Sequence, residues 1–184
     1  RGLDFYYICY DNEAYGNTGM QLSPATPYGA RTATSPCSLQ HPSGASQEKK
    51  DIFEIWRAHK PPYIATVAPR YPLDLEEKFA RAAAFTGPKM FLMLAACPTG
   101  WLYDPGKTPE VAKLAVETGL WPLKEAINGV VTHTYVPKRK PVEAYLKLQG
   151  RFRHLFESTV QTEAIQHIQA RVDAYWERAT REGS

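Results

Sequence analysis

Three short apolar runs separated by helical stretches constrain this chain more than any other feature. Asp4–Tyr10 (DFYYICY), Tyr63–Ala68 (YIATVA) and Lys89–Ala96 (KMFLMLAA) have strand length and are rich in β-branched, aromatic and other apolar residues. The first, DFYYICY, reads as a buried strand. Between the first and second, Glu48–His59 places Ile52, Ile55 and Trp56 on one helical face, and Pro61 and Pro62 end that helix. Between the second and third, Pro72 opens a helix running through Phe79 to Phe85. Its acids (Asp74, Glu76, Glu77) precede Lys78 and Arg81, as the helix dipole favours. Strand, helix, strand, helix, strand predicts an α/β fold: a mostly parallel sheet flanked by helices. Further on, Thr108 is expected to cap a helix over Pro109–Glu117. Strands are predicted at Leu120–Ile127 and Val130–Val136, and a helix from Pro141 to about Leu148. A last helix, Val160 to about Thr180, carries Ile165, Ile168, Val172 and Tyr175 on one stripe.

One segment breaks this rhythm. From Asp11 to Gln47 the chain is rich in Gly, Pro, Ser, Thr and Asn and has almost no periodicity. A loop of that length within a compact domain is expected to be functional or disordered. Tyr15, Met20 and Tyr28 are its expected anchors, and Gln40–Ser46 its expected disordered part.

At 184 residues the chain suits a single domain, residues 1–184. No apolar run is long enough for a membrane-spanning helix. Lys plus Arg number 22 against 19 Asp plus Glu, too small an excess to imply nucleic acid without a basic patch. The richest basic run, Lys138-Arg139-Lys140, reads as a solvated turn between prolines, or else as a phosphate or partner contact. The cysteines, Cys9, Cys37 and Cys97, are odd in number and form no CxxC pair, which predicts a reducing, cytoplasmic setting without disulfides. The N-terminus has neither signal-peptide features nor an initiator Met, so the chain is expected to be a piece of a longer polypeptide.

Parallel α/β sheets bind ligands at the carboxyl ends of their strands. Two such ends are distinctive: Asp11-Asn12-Glu13-Ala14-Tyr15-Gly16-Asn17-Thr18-Gly19 and Cys97-Pro98-Thr99-Gly100-Trp101. Asp11, Asn12 and Asn17 offer hard oxygen ligands, and Gly16 and Gly19 let the backbone turn sharply toward a ligand. That chemistry suits Mg²⁺ held together with a diphosphate. It equally suits an Asx turn that satisfies only its own backbone. Cys97, followed by proline, matches the last ligand of some iron–sulfur motifs, or is a small buried hydrophobe. A nucleotide-binding α/β domain is a weaker reading, because no glycine-rich fingerprint follows a strand.

The string YICYDNEAYGNTGMQLSPATPYGA closely resembles the thiamine-diphosphate loop of the β subunit of the pyruvate:ferredoxin and related 2-oxoacid oxidoreductases. The resemblance continues through PPYIATVAPRYPLDL, LAACPTGW and KPVEAYLKLQGRFRHL, and so covers most of the chain. It implies a Mg²⁺ bound by the side-chain oxygen of Asn12 and the backbone carbonyl of Ala14. Tyr15, Thr18 and Gly19 would belong to the cofactor loop, and Asn17 would lie by the reactive thiazolium and the 2-oxoacid. Cys97 would be the fourth ligand of a [4Fe-4S] cluster, Cys9 a core residue, and Cys37 a loop thiol without a role. The implied reaction is oxidative decarboxylation of a 2-oxoacid, pyruvate first, with coenzyme A, ferredoxin and further subunits as partners. The carboxylate that activates thiamine comes from another subunit or domain in the family, so neither Glu13 nor Glu54 takes that role. The family's Gly-Asp-Gly segment and its other three cluster cysteines lie upstream of this loop and have no counterpart here. The chain is thus expected to be the C-terminal portion of such a β subunit. Leu22 stands where a basic or small polar residue is commoner. A second reading is a non-catalytic scaffold docking through the last helix, by Tyr175 and Trp176 near Arg171, Arg178 and Arg181.

Overall fold

The apolar runs become strands. In the computed structural model, which describes residues 2–38, 42–157 and 159–182, β1 (Phe5–Asp11), β2 (Tyr63–Val67) and β3 (Pro88–Leu94) are parallel, with β3 between the other two. β4 (Lys124–Ile127) and β5 (Val130–His133) add an antiparallel hairpin beside β2, giving the order β1-β3-β2-β4-β5. The sheet is therefore mixed: the expected parallel set, extended at one side by the hairpin. Asn128 (φ 49°) and Gly129 (φ 87°) turn it in the left-handed conformation that a two-residue loop demands.

The helices are α1 (Ile52–Ala58), α2 (Pro72–Ala82), α3 (Pro98–Trp101), α4 (Thr108–Glu117), α5 (Glu143–Leu146) and α6 (Thr159–Glu182). α1 starts later than its apolar pattern suggested, because Asp51 caps it by accepting from the Glu54 amide (3.0 Å). Thr108 does not cap α4. It is the first helical residue, and its hydroxyl donates to the Pro105 carbonyl (2.7 Å).

The chain divides into two compact units. The first comprises the residues up to Asp11, Asp51–Ala95 and Trp121–Pro137, and so holds the sheet with α1 and α2. All five residues of β2 are buried. Their alternation sends Tyr63, Ala65 and Val67 to one face, with Phe91, Ala82 and Phe79. Ile64 goes to the other, with Phe53 and Ala126. Phe79 stacks on Phe91 with ring centroids 4.0 Å apart. β1 departs from the expectation of a buried strand: Phe5, Tyr6, Tyr7 and Tyr10 are exposed, and Cys9 is half-buried rather than in the core. Among the described residues β1 pairs with β3 alone and so forms the edge of the sheet.

The second unit comprises Asn12–Lys50, Ala96–Leu120 and the residues from Lys138 onward, and holds the long loop with α3 to α6. α6 buries Ala164, Ile165, Ile168, Val172 and Trp176. The Trp176 indole donates to the Gly119 carbonyl (3.1 Å). Trp176 is therefore core, and of the two aromatics in the scaffold reading Tyr175 alone stays partly exposed. In the long loop, Ala30 and Ala45 are buried and paired through their backbones. The segment from Pro42 to Ser46 is thus held, while Gln40 and His41 lie outside the described residues. Lys138 (2.8 Å) and Lys140 (2.6 Å) are not simply solvated, since both pair with the carboxylate of buried Glu117. Burial alone would raise the pKa of Glu117, but the two ammonium groups prevail and bring it to about 2. Among the described residues no helix is long and apolar enough to cross a membrane.

Candidate functional site

Parallel pairing of β1 with β3 sets Asp11 opposite Leu94, and the Ala95 amide donates to the Asp11 carbonyl (3.0 Å). The two distinctive loops thus leave the sheet from neighbouring strand ends. Within the second unit they meet directly. The indole N–H of fully buried Trp101 donates to the backbone carbonyl of Asn12 (2.9 Å). Gly100 lies against Met20, where an added Cβ would fall 2.0 Å from Met20 Cε.

Asn12 Oδ1 accepts from the Ala14 amide (3.2 Å), so the Asx turn is present. A carboxamide oxygen has a second lone pair, which leaves it able to ligate a cation. The Asn12 amide group packs on Gly16, where a Cβ would come within 2.8 Å of Nδ2. The Asn12 carbonyl is taken by Trp101 and the Glu13 carbonyl by the Thr26 hydroxyl (2.7 Å). Among the described residues no hydrogen bond is made to the Ala14 carbonyl. An available side-chain oxygen and an unengaged carbonyl two residues apart fit a hard cation that completes its shell with ligand oxygens rather than in an all-protein cage. Gly19 adopts φ 108°, and its amide donates to the Gly16 carbonyl (3.1 Å). Tyr15, Asn17, Thr18 and Gly19 are exposed along the crest of the loop. Tyr15 is thus no anchor. Asp11 is buried at the end of β1.

The anchor lies beneath the crest and was not foreseen from the sequence. Glu13, buried and in the left-handed region (φ 63°), pairs with Arg151 (2.6 Å) and Lys49 (2.7 Å). Arg151 also donates through Nε to Gln149 Oε1 (2.8 Å), and its guanidinium lies 3.9 Å from the centre of the Trp101 ring. Burial pushes the Glu13 carboxyl up, but Lys49 and Arg151 prevail and hold it below the usual carboxylate range. Glu13 is therefore an ion-paired support of the loop backbone.

Cys97 is half-buried, and its Sγ accepts from the Gly100 amide (3.4 Å) at the start of α3. Amide hydrogen bonds of this kind tune cluster-ligating sulfurs, so Cys97 fits a single thiolate ligand. Among the described residues no group of three or more His, Cys, Asp or Glu is placed to hold a metal ion.

Residues 1–92 match the family model for the thiamine pyrophosphate enzyme C-terminal TPP-binding domain. The pyruvate synthase subunit PorB of Methanocaldococcus jannaschii is 48% identical over 174 residues, covering 94% of this chain and 56% of that subunit. The ketoisovalerate oxidoreductase subunit VorB of Pyrococcus furiosus is 42% identical over 181 residues, covering 97% and 56%. The chain spans about half the length of the curated relatives it matches. A solved 2-oxoglutarate:ferredoxin oxidoreductase from Magnetococcus marinus aligns with 61% of this chain and 43% of its own, at 18% identity and a TM-score of 0.44, too slight a likeness to argue from.

Proposed function

Because the chain belongs to the thiamine pyrophosphate enzyme family, and within it to the β subunits of the 2-oxoacid:acceptor oxidoreductases, we propose that it supplies the diphosphate-gripping part of a thiamine-diphosphate site for the oxidative decarboxylation of a 2-oxoacid. Pyruvate is the substrate favoured by the pyruvate synthase relatives. Coenzyme A, ferredoxin and the remaining subunits are the partners, in a reducing cytoplasm that keeps the thiols of Cys9, Cys37 and Cys97 out of disulfides. Asn12 Oδ1 and the Ala14 carbonyl would hold Mg²⁺. Tyr15, Thr18 and Gly19 would line the cofactor, and exposed Asn17 would orient the 2-oxoacid by hydrogen bonding. When bound, thiamine diphosphate supplies the electron sink that lets the substrate carboxylate leave. Cys97 would give one ligand to a [4Fe-4S] electron acceptor, whose other three ligands come from outside these residues.

The observation that carries this reading is the bond from Trp101 Nε1 to the Asn12 carbonyl. It fastens the oxygen-rich loop to the thiol-bearing turn, the arrangement needed if a decarboxylating cofactor is to pass electrons to a neighbouring cluster. In the full-length assembled enzyme, Cys97→Ala should abolish the electron-paramagnetic signal of one cluster and leave thiamine diphosphate bound. An unchanged cluster count in that variant would contradict the assignment.

A further inference from the structure

Arg151 belongs to neither loop, yet it touches a residue of each. Its guanidinium edge reaches Glu13, next in sequence to Asn12, and its face lies on Trp101, four residues after Cys97. Arginine can do both at once because its planar group stacks by its face while its edge pairs, whereas a lysine ammonium is a single point charge that cannot serve both partners in this way. The residues it meets are the ones that fix the loop backbone. Trp101 holds the Asn12 carbonyl, and Glu13 occupies a left-handed conformation that an L residue adopts only under constraint. Gln149 and Lys49 complete the arrangement: one accepts from Arg151, the other pairs with Glu13.

We propose that Arg151 is a positioning residue for the cofactor loop. Through Glu13 and Trp101 it holds the Asn12–Ala14 backbone in its magnesium-binding conformation and locks that loop to the Cys97–Trp101 turn. This deepens the reading given above and rests on it. Removing one partner of a buried ion pair destabilises a protein, whereas removing both is far milder. Two variants therefore separate folding from positioning. Arg151→Lys keeps a cation beside Glu13 but loses the planar contact with Trp101. The double variant Glu13→Gln with Arg151→Gln removes both charges.

In the full-length assembled enzyme, calorimetric titration with magnesium thiamine diphosphate should show both variants binding about 10- to 100-fold more weakly, the range usual for residues that orient metal ligands. kcat at saturating cofactor and the melting temperature of Arg151→Lys should stay near those of the wild type. Wild-type affinity in both variants, or a lowered melting temperature with wild-type affinity, would overturn the positioning role while leaving the cofactor site intact. A wild-type enzyme that binds no thiamine diphosphate would overturn the site itself and this role with it.

Discussion

A methyl group is all that separates Gly16 from alanine, and at this position it would lie 2.8 Å from Asn12 Nδ2. Gly16 does not need a left-handed backbone, so alanine there should strain only the Asn12 carboxamide. Gly16→Ala should weaken magnesium thiamine diphosphate binding by about tenfold in a calorimetric titration. It should alter stability by no more than about 0.5 kcal/mol, as at other loop sites without buried partners. Unchanged affinity would mean that the Asn12 amide does not meet the metal. At this scale Asn12 and Cys97 could be proposed from the sequence because an oxygen-bearing carboxamide and a thiol each suggest a ligand chemistry. Arg151 was not: its pairing with Glu13 spans 138 residues, and a lone arginine in LQGRF carries no local sign of a distant partner. Tyr15 misled in the opposite direction. An aromatic in a polar loop reads as an anchor, but it sits at the exposed crest while a buried glutamate does the anchoring.

Among the elements, α6 shows how a stripe can be read correctly and still miss its main contact. Ile165, Ile168 and Val172 are buried as their spacing predicts. Trp176, by contrast, is fixed by Gly119, the left-handed residue (φ 86°) that follows α4 and Thr118. A Cβ at Gly119 would lie 2.3 Å from the Trp176 indole nitrogen. Gly119→Ala should therefore cost about 2–4 kcal/mol, combining the left-handed penalty with overpacking. A lowered thermal denaturation midpoint of the assembled enzyme would reveal it; an unchanged midpoint would show that α6 can shift freely. Strand identity was legible for the same reason as helix identity, since both follow from periodicity. The exposure of β1 was not, because DFYYICY carries the composition of a central strand, and only the sheet order makes it an edge. The hairpin trimmed the last two predicted strands at Lys124 and His133, where pairing rather than hydrophobicity sets the limits.

For the whole molecule, the α/β class followed from alternation of apolar runs with helices. The strand order did not, and it is the order β1-β3 that brings the two chemically distinctive strand ends side by side. The long loop, which periodicity could describe only as an interruption, contributes Glu13, Thr26, Gly29, Ala30 and Ala45 to the buried part of the second unit. Its length therefore serves both packing and the exposed crest where Asn17, Thr18 and Gly19 face solvent. The proposed cofactor site as a whole depends on Asn12 gripping the metal. In the full-length assembled enzyme, a calorimetric titration of magnesium thiamine diphosphate into Asn12→Ala tests that dependence directly. The predicted result is about a 100-fold loss of affinity at an unchanged melting temperature, as expected on losing a ligand at least as consequential as the groups that orient it. An affinity equal to that of the wild type would contradict it.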